Sequence, residues 1–300
     1  MPIDHPLPES PWGLLLGCYF VLIGLPSGIT LVTCWRRQFR SGGPVRTERV
    51  ATVLALTLLG AASLLLIIDL GRPTRFFLML TSFGNLGSPI SIGAKLIALK
   101  GFLLLASLYL LRRSYSSDGS RSLIPGDHRT KLVVTGVTWL LGAVSLALAV
   151  YPAVVLSWTW FAPLAATSGA ALIFLMTACL MGLAVHLVVD LFVRTEPISA
   201  ADMRSLRRGT LGLLTGYAVV LGMQTLSVIG APRLAAVIQN TASTSTGLLV
   251  WCSALTVGGL AVPAVGLTTS RVRPVPQVVA AGAILLGAGA SRYLIFAVGR

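Results

Sequence analysis

Long, continuous apolar runs separated by short polar segments recur along the whole chain. Each run is close to 20 residues long, enough for an α-helix to cross a hydrocarbon core of about 30 Å. The runs do not alternate in polarity, so they predict helices and not the strands of a membrane barrel. We predict eight spans, at about 12–35, 50–69, 89–111, 132–151, 162–189, 209–230, 246–267 and 277–298.

Composition supports the same class. Of the 300 residues, 55% are hydrophobic and only 11% are charged, and the mean hydropathy is +0.86. Soluble domains carry about 25% charged residues. We therefore expect an all-α integral membrane protein with eight transmembrane helices.

The basic residues concentrate in alternate connections. Sixteen of the 23 lysines and arginines lie in four segments: 36–49, 112–131, 190–208 and 268–276. Short cytoplasmic loops are enriched in lysine and arginine, so these four segments are predicted to face the cytoplasm. Membrane orientation thus accounts for the net charge of +14, and no nucleic-acid partner is needed to explain it.

The remaining connections are predicted on the outer, periplasmic side. They are 70–88, 152–161 and 231–245, and both termini are expected there too. We predict one membrane domain, with a first four-helix group over 12–151 and a second over 162–298.

The connection after the second span carries a cluster of ionisable side chains. The segment IDLGRPTRFFLMLTSFGNLGSPISIGAK, residues 68–95, contains Asp69, Arg72, Arg75, Ser88 and Lys95. Ionisable groups at the hydrocarbon boundary are costly unless they face protein, and they often mark a substrate or proton path. The alternative is a salt bridge that anchors the loop at the lipid headgroups.

Three further polar residues lie within predicted spans. Lys100 is near the middle of span three, where we expect a protein-facing contact or a water-filled path. His186 and Asp190 are four residues apart, hence on one helix face, and form either a proton relay or a plain interfacial pair. Lys95 is close enough to the end of its span to extend towards the interface. We take Lys95, Lys100, His186 and Asp190 as a possible proton path.

Metal signatures are missing from the sequence. The four cysteines stand singly, without a C-x-x-C pair, and only one of the three histidines lies in a predicted span. Bis-histidine ligation of a haem needs two histidines, and iron–sulfur clusters need several cysteines. We expect no haem and no metal.

Four motifs carry a resemblance to a known family. DLGRPTRFF, SPISIGA, YPAVVLSW and the terminal RYLIFAVG resemble the membrane subunit of the polysulfide reductase (NrfD/PsrC) family. The resemblance implies a quinol-binding anchor in the bacterial inner membrane, with menaquinone or ubiquinone as its bound substrate. It also implies two partners: an external ferredoxin-like iron–sulfur subunit and, beyond it, a molybdopterin or cytochrome catalytic subunit.

The resemblance also implies site residues. Tyr151 matches a tyrosine that contacts quinone in some members, and Tyr19 stands where the first span of some members has a histidine. Lys95 stands where the family usually has an aromatic residue. The quinol-binding set implied by the resemblance and the charged cluster is Tyr19, Asp69, Arg72, Arg75, Ser88 and Tyr151.

Two rival classes are open at this point. A secondary transporter also has buried charge and glycine-rich spans, but it usually shows inverted repeats and broken helices at the midplane. A purely structural anchor would leave the charged cluster of 68–95 without a role. The gathering of polar groups at one face favours the quinol-binding anchor.

The predicted orientation can be tested by labelling. In a cysteine-free background, a cysteine at Ser157 should react with a membrane-impermeant thiol reagent in intact cells, and one at Ser117 should not. The reason is the placement of the basic connections on the cytoplasmic side. Labelling at Ser117 but not at Ser157 would invert the topology.

Overall fold

The structure, a computed structural model, describes residues 14–39, 45–69, 81, 88–118, 128–158, 164–193, 200–269 and 274–298. Regular secondary structure in these ranges is α-helical, as the apolar runs predict. The helices are α1 (Leu14–Leu22), α2 (Gly24–Phe39), α3 (Val45–Asp69), α4 (Pro89–Asp118), α5 (His128–Ser157), α6 (Ser168–Val193), α7 (Ala200–Ile229), α8 (Pro232–Thr269) and α9 (Pro274–Ala297).

Among the described residues, eight helical segments are long and apolar enough to cross a membrane. They are Leu15–Phe39, Arg46–Asp69, Pro89–Arg112, Lys131–Ser157, Gly169–Val193, Arg204–Ile229, Ser245–Gly266 and Val275–Ala297. The predicted number of spans is confirmed, and their ends differ from the predicted ones by a few residues. The side of the membrane on which each end lies stays a prediction.

The first span is broken into α1 and α2 at Ile23. Pro26 explains the break, because it has no N–H for the carbonyl of Leu22 and its ring would collide with that carbonyl in a regular helix. α1 therefore ends at Leu22, and α2 begins at Gly24. Pro26 then lies in the first turn of α2, where a missing N–H is tolerated.

Helices extend into two of the predicted connections. Segment 231–245 lies between the spans Arg204–Ile229 and Ser245–Gly266, as predicted, but nearly all of it belongs to α8, which is kinked at Ser245. Its polar stretch QNTASTST lowers the hydropathy without containing a helix breaker. Arg36 and Arg37, predicted in a cytoplasmic loop, instead belong to α2, which continues to Phe39.

α2 and α6 lie at the centre of the packing. Contacts between α2–α3, α3–α4, α4–α5 and α5–α2 close one ring of helices, and α6–α7, α7–α8, α8–α9 and α9–α6 close another. α2 and α6 also pack extensively against each other and so join the two rings. The division into groups at 12–151 and 162–298 stays a prediction.

Glycines allow the closest helix contacts. A Cβ atom on Gly28 in α2 would overlap the backbone carbonyl of Ala178 in α6, and one on Gly182 would overlap the backbone of Gly28. Gly259 and Gly287 meet in the same way between α8 and α9. Helix association in lipid depends on such close packing, because the solvent supplies no hydrophobic drive.

The contact between α2 and α6 yields a stability prediction. Gly28→Ala should destabilise the protein, because overpacking against a backbone carbonyl costs about 1–3 kcal/mol. The higher helix propensity of alanine offsets about 1 kcal/mol of this cost. Gly60→Ala is the matched control, since a Cβ there meets nothing within 4 Å. The measurement is the apparent midpoint of thermal unfolding in detergent. Equal midpoints for the two variants would contradict the prediction.

Candidate functional site

Tyr19 and Tyr151 belong to the same buried core cluster. Tyr19 on α1 is 1% exposed and Tyr151 on α5 is 8% exposed. They lie far apart in sequence, on the first and fourth spans. We call them the tyrosine pair.

The start of α4 fixes the position of Tyr151. The carbonyl of Ser88 accepts a hydrogen bond from the N–H of Ile92 at 3.1 Å, and Pro89 is suited to the first helical position. Gly93 follows one turn into α4, and a Cβ there would overlap the ring and hydroxyl of Tyr151. The glycine of the SPISIGA motif thus makes room for the tyrosine.

The Tyr19 hydroxyl is buried and has no hydrogen-bond partner. Leaving a buried hydroxyl unpaired costs about 1–3 kcal/mol. Such a group is a candidate for binding a ligand that carries a polar atom.

The charged cluster of 68–95 is only partly described. Asp69 is the last residue of α3 and is half-buried, as are Ser88 and Lys95. Lys95 interacts with another residue of the protein. Arg72 and Arg75 lie outside the described residues, so their part in the predicted rim stays a prediction.

His186 and Asp190 join a third residue that the sequence did not suggest. Arg36 Nη1 lies 3.0 Å from Asp190 Oδ2, forming a salt bridge, and 3.2 Å from His186 Nδ1. All three are buried. We call these residues, together with Thr33, the Arg36 cluster; it ties α2 to α6.

The hydrogen bonds define the protonation of His186. Arginine only donates, so Nδ1 of His186 must accept, and the ring proton is on Nε2. Nε2 lies 3.1 Å from Thr33 Oγ1 and 3.3 Å from the carbonyl of Ile29. Since the Thr33 hydroxyl itself donates to Ile29, its oxygen is free to accept. Every polar atom of this neutral imidazole therefore has a suitable partner.

Arg37 makes a second buried ion pair. Its Nε donates to Glu48 Oε2 at 2.7 Å and its Nη1 donates to Ser107 Oγ at 2.8 Å. These contacts connect α2 to α3 and α4. Sequence reasoning missed this pair and placed Arg37 in a loop. The available signal was Glu48, one of only nine acids, which lies two residues before a predicted span.

Lys100 is fully buried on α4 and contacts α2. Its Nζ donates to Ser27 Oγ at 3.1 Å, and the Ser27 hydroxyl donates to the carbonyl of Ile23 at 3.0 Å. The expected protein-facing contact is therefore present. The structure does not join Lys100 to the Arg36 cluster, so a path through both stays a prediction.

Arg292 is a further buried basic residue, and sequence reasoning gave it no role. It is 0% exposed on α9 and contacts α1 and α6. Its position inside a predicted span, where arginine is rare, could have indicated a role from the sequence.

Two other features lie apart from these residues. An apolar groove between α7 and α8 is lined by residues such as Leu211, Leu214 and Leu260 and is remote in the fold from the tyrosine pair. In the described part of the chain, no three His, Cys, Asp or Glu side chains gather as metal ligands would. The expectation of no haem and no metal stays a prediction.

The fold and the site define the class of protein: a multi-span α-helical membrane protein whose interior holds buried ion pairs and an unpaired tyrosine hydroxyl. The chain belongs to the NrfD family, because the family model described as polysulphide reductase, NrfD matches residues 5–300. The suggested family is confirmed.

One relative carries a more specific name. A protein of Halobacterium salinarum, named as a membrane subunit of dimethyl sulfoxide reductase, is 29% identical over 235 residues. The match covers 74% of this chain and 52% of the relative, so the chain spans about half the length of that protein.

The Arg36 cluster yields a second stability prediction. Arg36→Met should lower the free energy of unfolding by about 3 kcal/mol, because it leaves the Asp190 carboxylate buried without its cation. The double variant Arg36→Met/Asp190→Leu should lose less, since no unpaired charge remains. Thermal unfolding of the purified protein in detergent measures both. A double variant less stable than Arg36→Met would contradict the prediction.

Proposed function

We propose that this chain is the quinol- or quinone-binding membrane anchor subunit of a multi-subunit respiratory oxidoreductase. The single observation that carries the proposal is the buried, unpartnered hydroxyl of Tyr19, in the same core cluster as Tyr151. Membership of the NrfD family and the name of the Halobacterium salinarum relative support it.

The tyrosine pair suits a quinol headgroup. A quinol has two oxygens on opposite sides of its ring, and a tyrosine hydroxyl can donate to or accept from each of them. The surroundings are apolar with few polar groups, as in most small-molecule sites. Tyr19 and Tyr151 would therefore orient the ring rather than react with it.

Asp69 is the proposed proton acceptor. Oxidation of a quinol releases two electrons and two protons, and a half-buried carboxylate at the end of α3 can accept these two protons one after the other and pass each to water. Ser88, Arg72 and Arg75 complete the proposed rim. In the direction of quinone reduction the same carboxyl group would return the proton.

The electrons need acceptors outside this chain. We propose a ferredoxin-like iron–sulfur subunit docked near the tyrosine pair, and through it a molybdopterin or cytochrome catalytic subunit. The anchor itself would hold no haem and no metal. The proposed location is the bacterial inner membrane, in contact with the menaquinone or ubiquinone pool.

Lys95, Lys100, His186 and Asp190 form the proposed proton path. Lys100 lies seven residues, about 10 Å, along α4 from Gly93, on the same face, so it is two turns from the Tyr151 hydroxyl. The Arg36 cluster would form a separate part of this path, near the other end of the helix bundle.

The secondary transporter is less well supported. The break at Ile23 lies in the first span and is explained by Pro26, and the kink at Ser245 lies at the start of the seventh span, so the two interruptions do not occupy matching positions of two repeats. Family membership also favours the anchor over the transporter.

The proposal is tested in membranes that contain the assembled complex. Tyr19→Phe, Tyr151→Phe and Asp69→Asn should each lower quinol-dependent turnover about tenfold, the effect of one lost hydrogen bond to the ligand or one lost proton acceptor. Tyr109→Phe is the matched control, because Tyr109 is 64% exposed. Artificial-donor activity reports on the partner subunits.

Two results would contradict the proposal. Full quinol activity in both tyrosine variants would place the pocket elsewhere. Loss of the complex in the Asp69→Asn variant, measured by co-purification of the partner subunits, would make the 68–95 cluster a docking surface.

A further inference from the structure

Arg292 is held by oxygens from two other helices. Its Nε donates to Thr177 Oγ1 at 2.8 Å and its Nη1 donates to the carbonyl of Phe20 at 3.0 Å. Its Nη2 donates to the carbonyl of Phe174, whose ring lies 4.9 Å from the guanidinium carbon. These partners are neutral, so the contact is not an ion pair.

The Phe20 carbonyl belongs to the break between α1 and α2. In an uninterrupted helix this carbonyl would accept from the N–H of residue 24, and a carbonyl freed inside a membrane must find another donor. Arg292 supplies that donor. Gly24 gives it room, because a Cβ on Gly24 would overlap the guanidinium group.

Tyr19 is next to that carbonyl. α1 has only nine residues, and the carbonyl of Tyr19 accepts from the N–H of Ile23, also at the break. The Phe20 ring packs edge-on against Phe296 at 5.8 Å on the same helix as Arg292. The orientation of the Tyr19 ring therefore depends on how α9 holds the end of α1.

We propose that Arg292 is a positioning residue for the quinol headgroup. By fixing the end of α1 at its break, it aims the Tyr19 hydroxyl at the ligand. This inference rests on the proposed function and adds to it a residue on the last span, outside the first four spans, which carry Tyr19 and Tyr151.

Two substitutions disturb the contact in different ways. Arg292→Lys keeps a cation but replaces the planar fork with a single ammonium, which cannot reproduce three donors at fixed angles. Gly24→Ala keeps Arg292 and displaces its guanidinium group. Gly60→Ala is the control, because a Cβ there meets open space.

The readout is the KM for quinol in the assembled complex. Arg292→Lys and Gly24→Ala should each raise it about tenfold, the cost of one misplaced hydrogen bond, with a smaller change in kcat. The same rise should occur in a Tyr151→Phe background. In a Tyr19→Phe background the rise in KM should disappear, because no hydroxyl remains to be positioned. A residue with a purely structural role would not show this non-additivity.

The outcomes separate the two proposals. If Tyr19→Phe and Tyr151→Phe alone leave quinol turnover unchanged, the proposed function fails. If the tyrosine variants lower quinol turnover, two results would refute Arg292 as a positioning residue. One is an unchanged KM in both Arg292→Lys and Gly24→Ala, and the other is an equal rise in KM in the Tyr19→Phe background. If Arg292→Lys does not assemble, Gly24→Ala decides by the same criteria. Loss of the complex in both variants would also refute the inference, because Arg292 would then serve folding alone.

Discussion

Hydrocarbon offers no hydrogen-bond partners, so a helix that breaks inside a membrane persists only where protein groups bond its freed backbone. Pro26 imposes such a break in the first span. The carbonyl of Phe20 is bonded by Arg292. Just past the break, the Ser27 hydroxyl donates to the carbonyl of Ile23 and accepts a hydrogen bond from Lys100. The break is thus supported from α9 on one side and from α4 on the other. It turns the N-terminal third of the span into a short, separately held helix that carries Tyr19.

The other end of α2 is held by charge. Arg36 pairs with Asp190 on α6, and Arg37 pairs with Glu48 on α3. Buried ion pairs add little net stability relative to an apolar contact, but breaking one is costly. Two adjacent arginines that face different helices therefore specify the depth and rotation of α2. The close packing of Gly28 against Gly182 lies between these ion pairs and the break. Contacts therefore fix the position of α2 along its whole length.

The spans could be predicted from sequence because an apolar run of sufficient length has few alternatives to a membrane helix. The pairing of Tyr19 with Tyr151 came from family resemblance and not from any local rule, and it stays a prediction. The roles of Arg36 and Arg37 could not be predicted, since their partners are set by tertiary packing and one of them is more than 150 residues away along the chain. The helical character of 231–245 was missed because hydropathy reports burial in lipid, and a polar stretch without a breaker can still be helical.

The two buried basic residues near the break, Arg292 and Lys100, differ in their chemistry and are therefore suited to different roles. Arg292 has three oxygen partners arranged for three fixed N–H groups, and an arginine in a protein does not give up its proton. It is therefore suited to hold geometry and unsuited to carry protons. Lys100 donates to a hydroxyl, which serves a neutral amine as well as an ammonium group. A lysine can exist in either state inside a protein, so of the two it is Lys100, two turns from the Tyr151 hydroxyl, that has the chemistry a proton path requires.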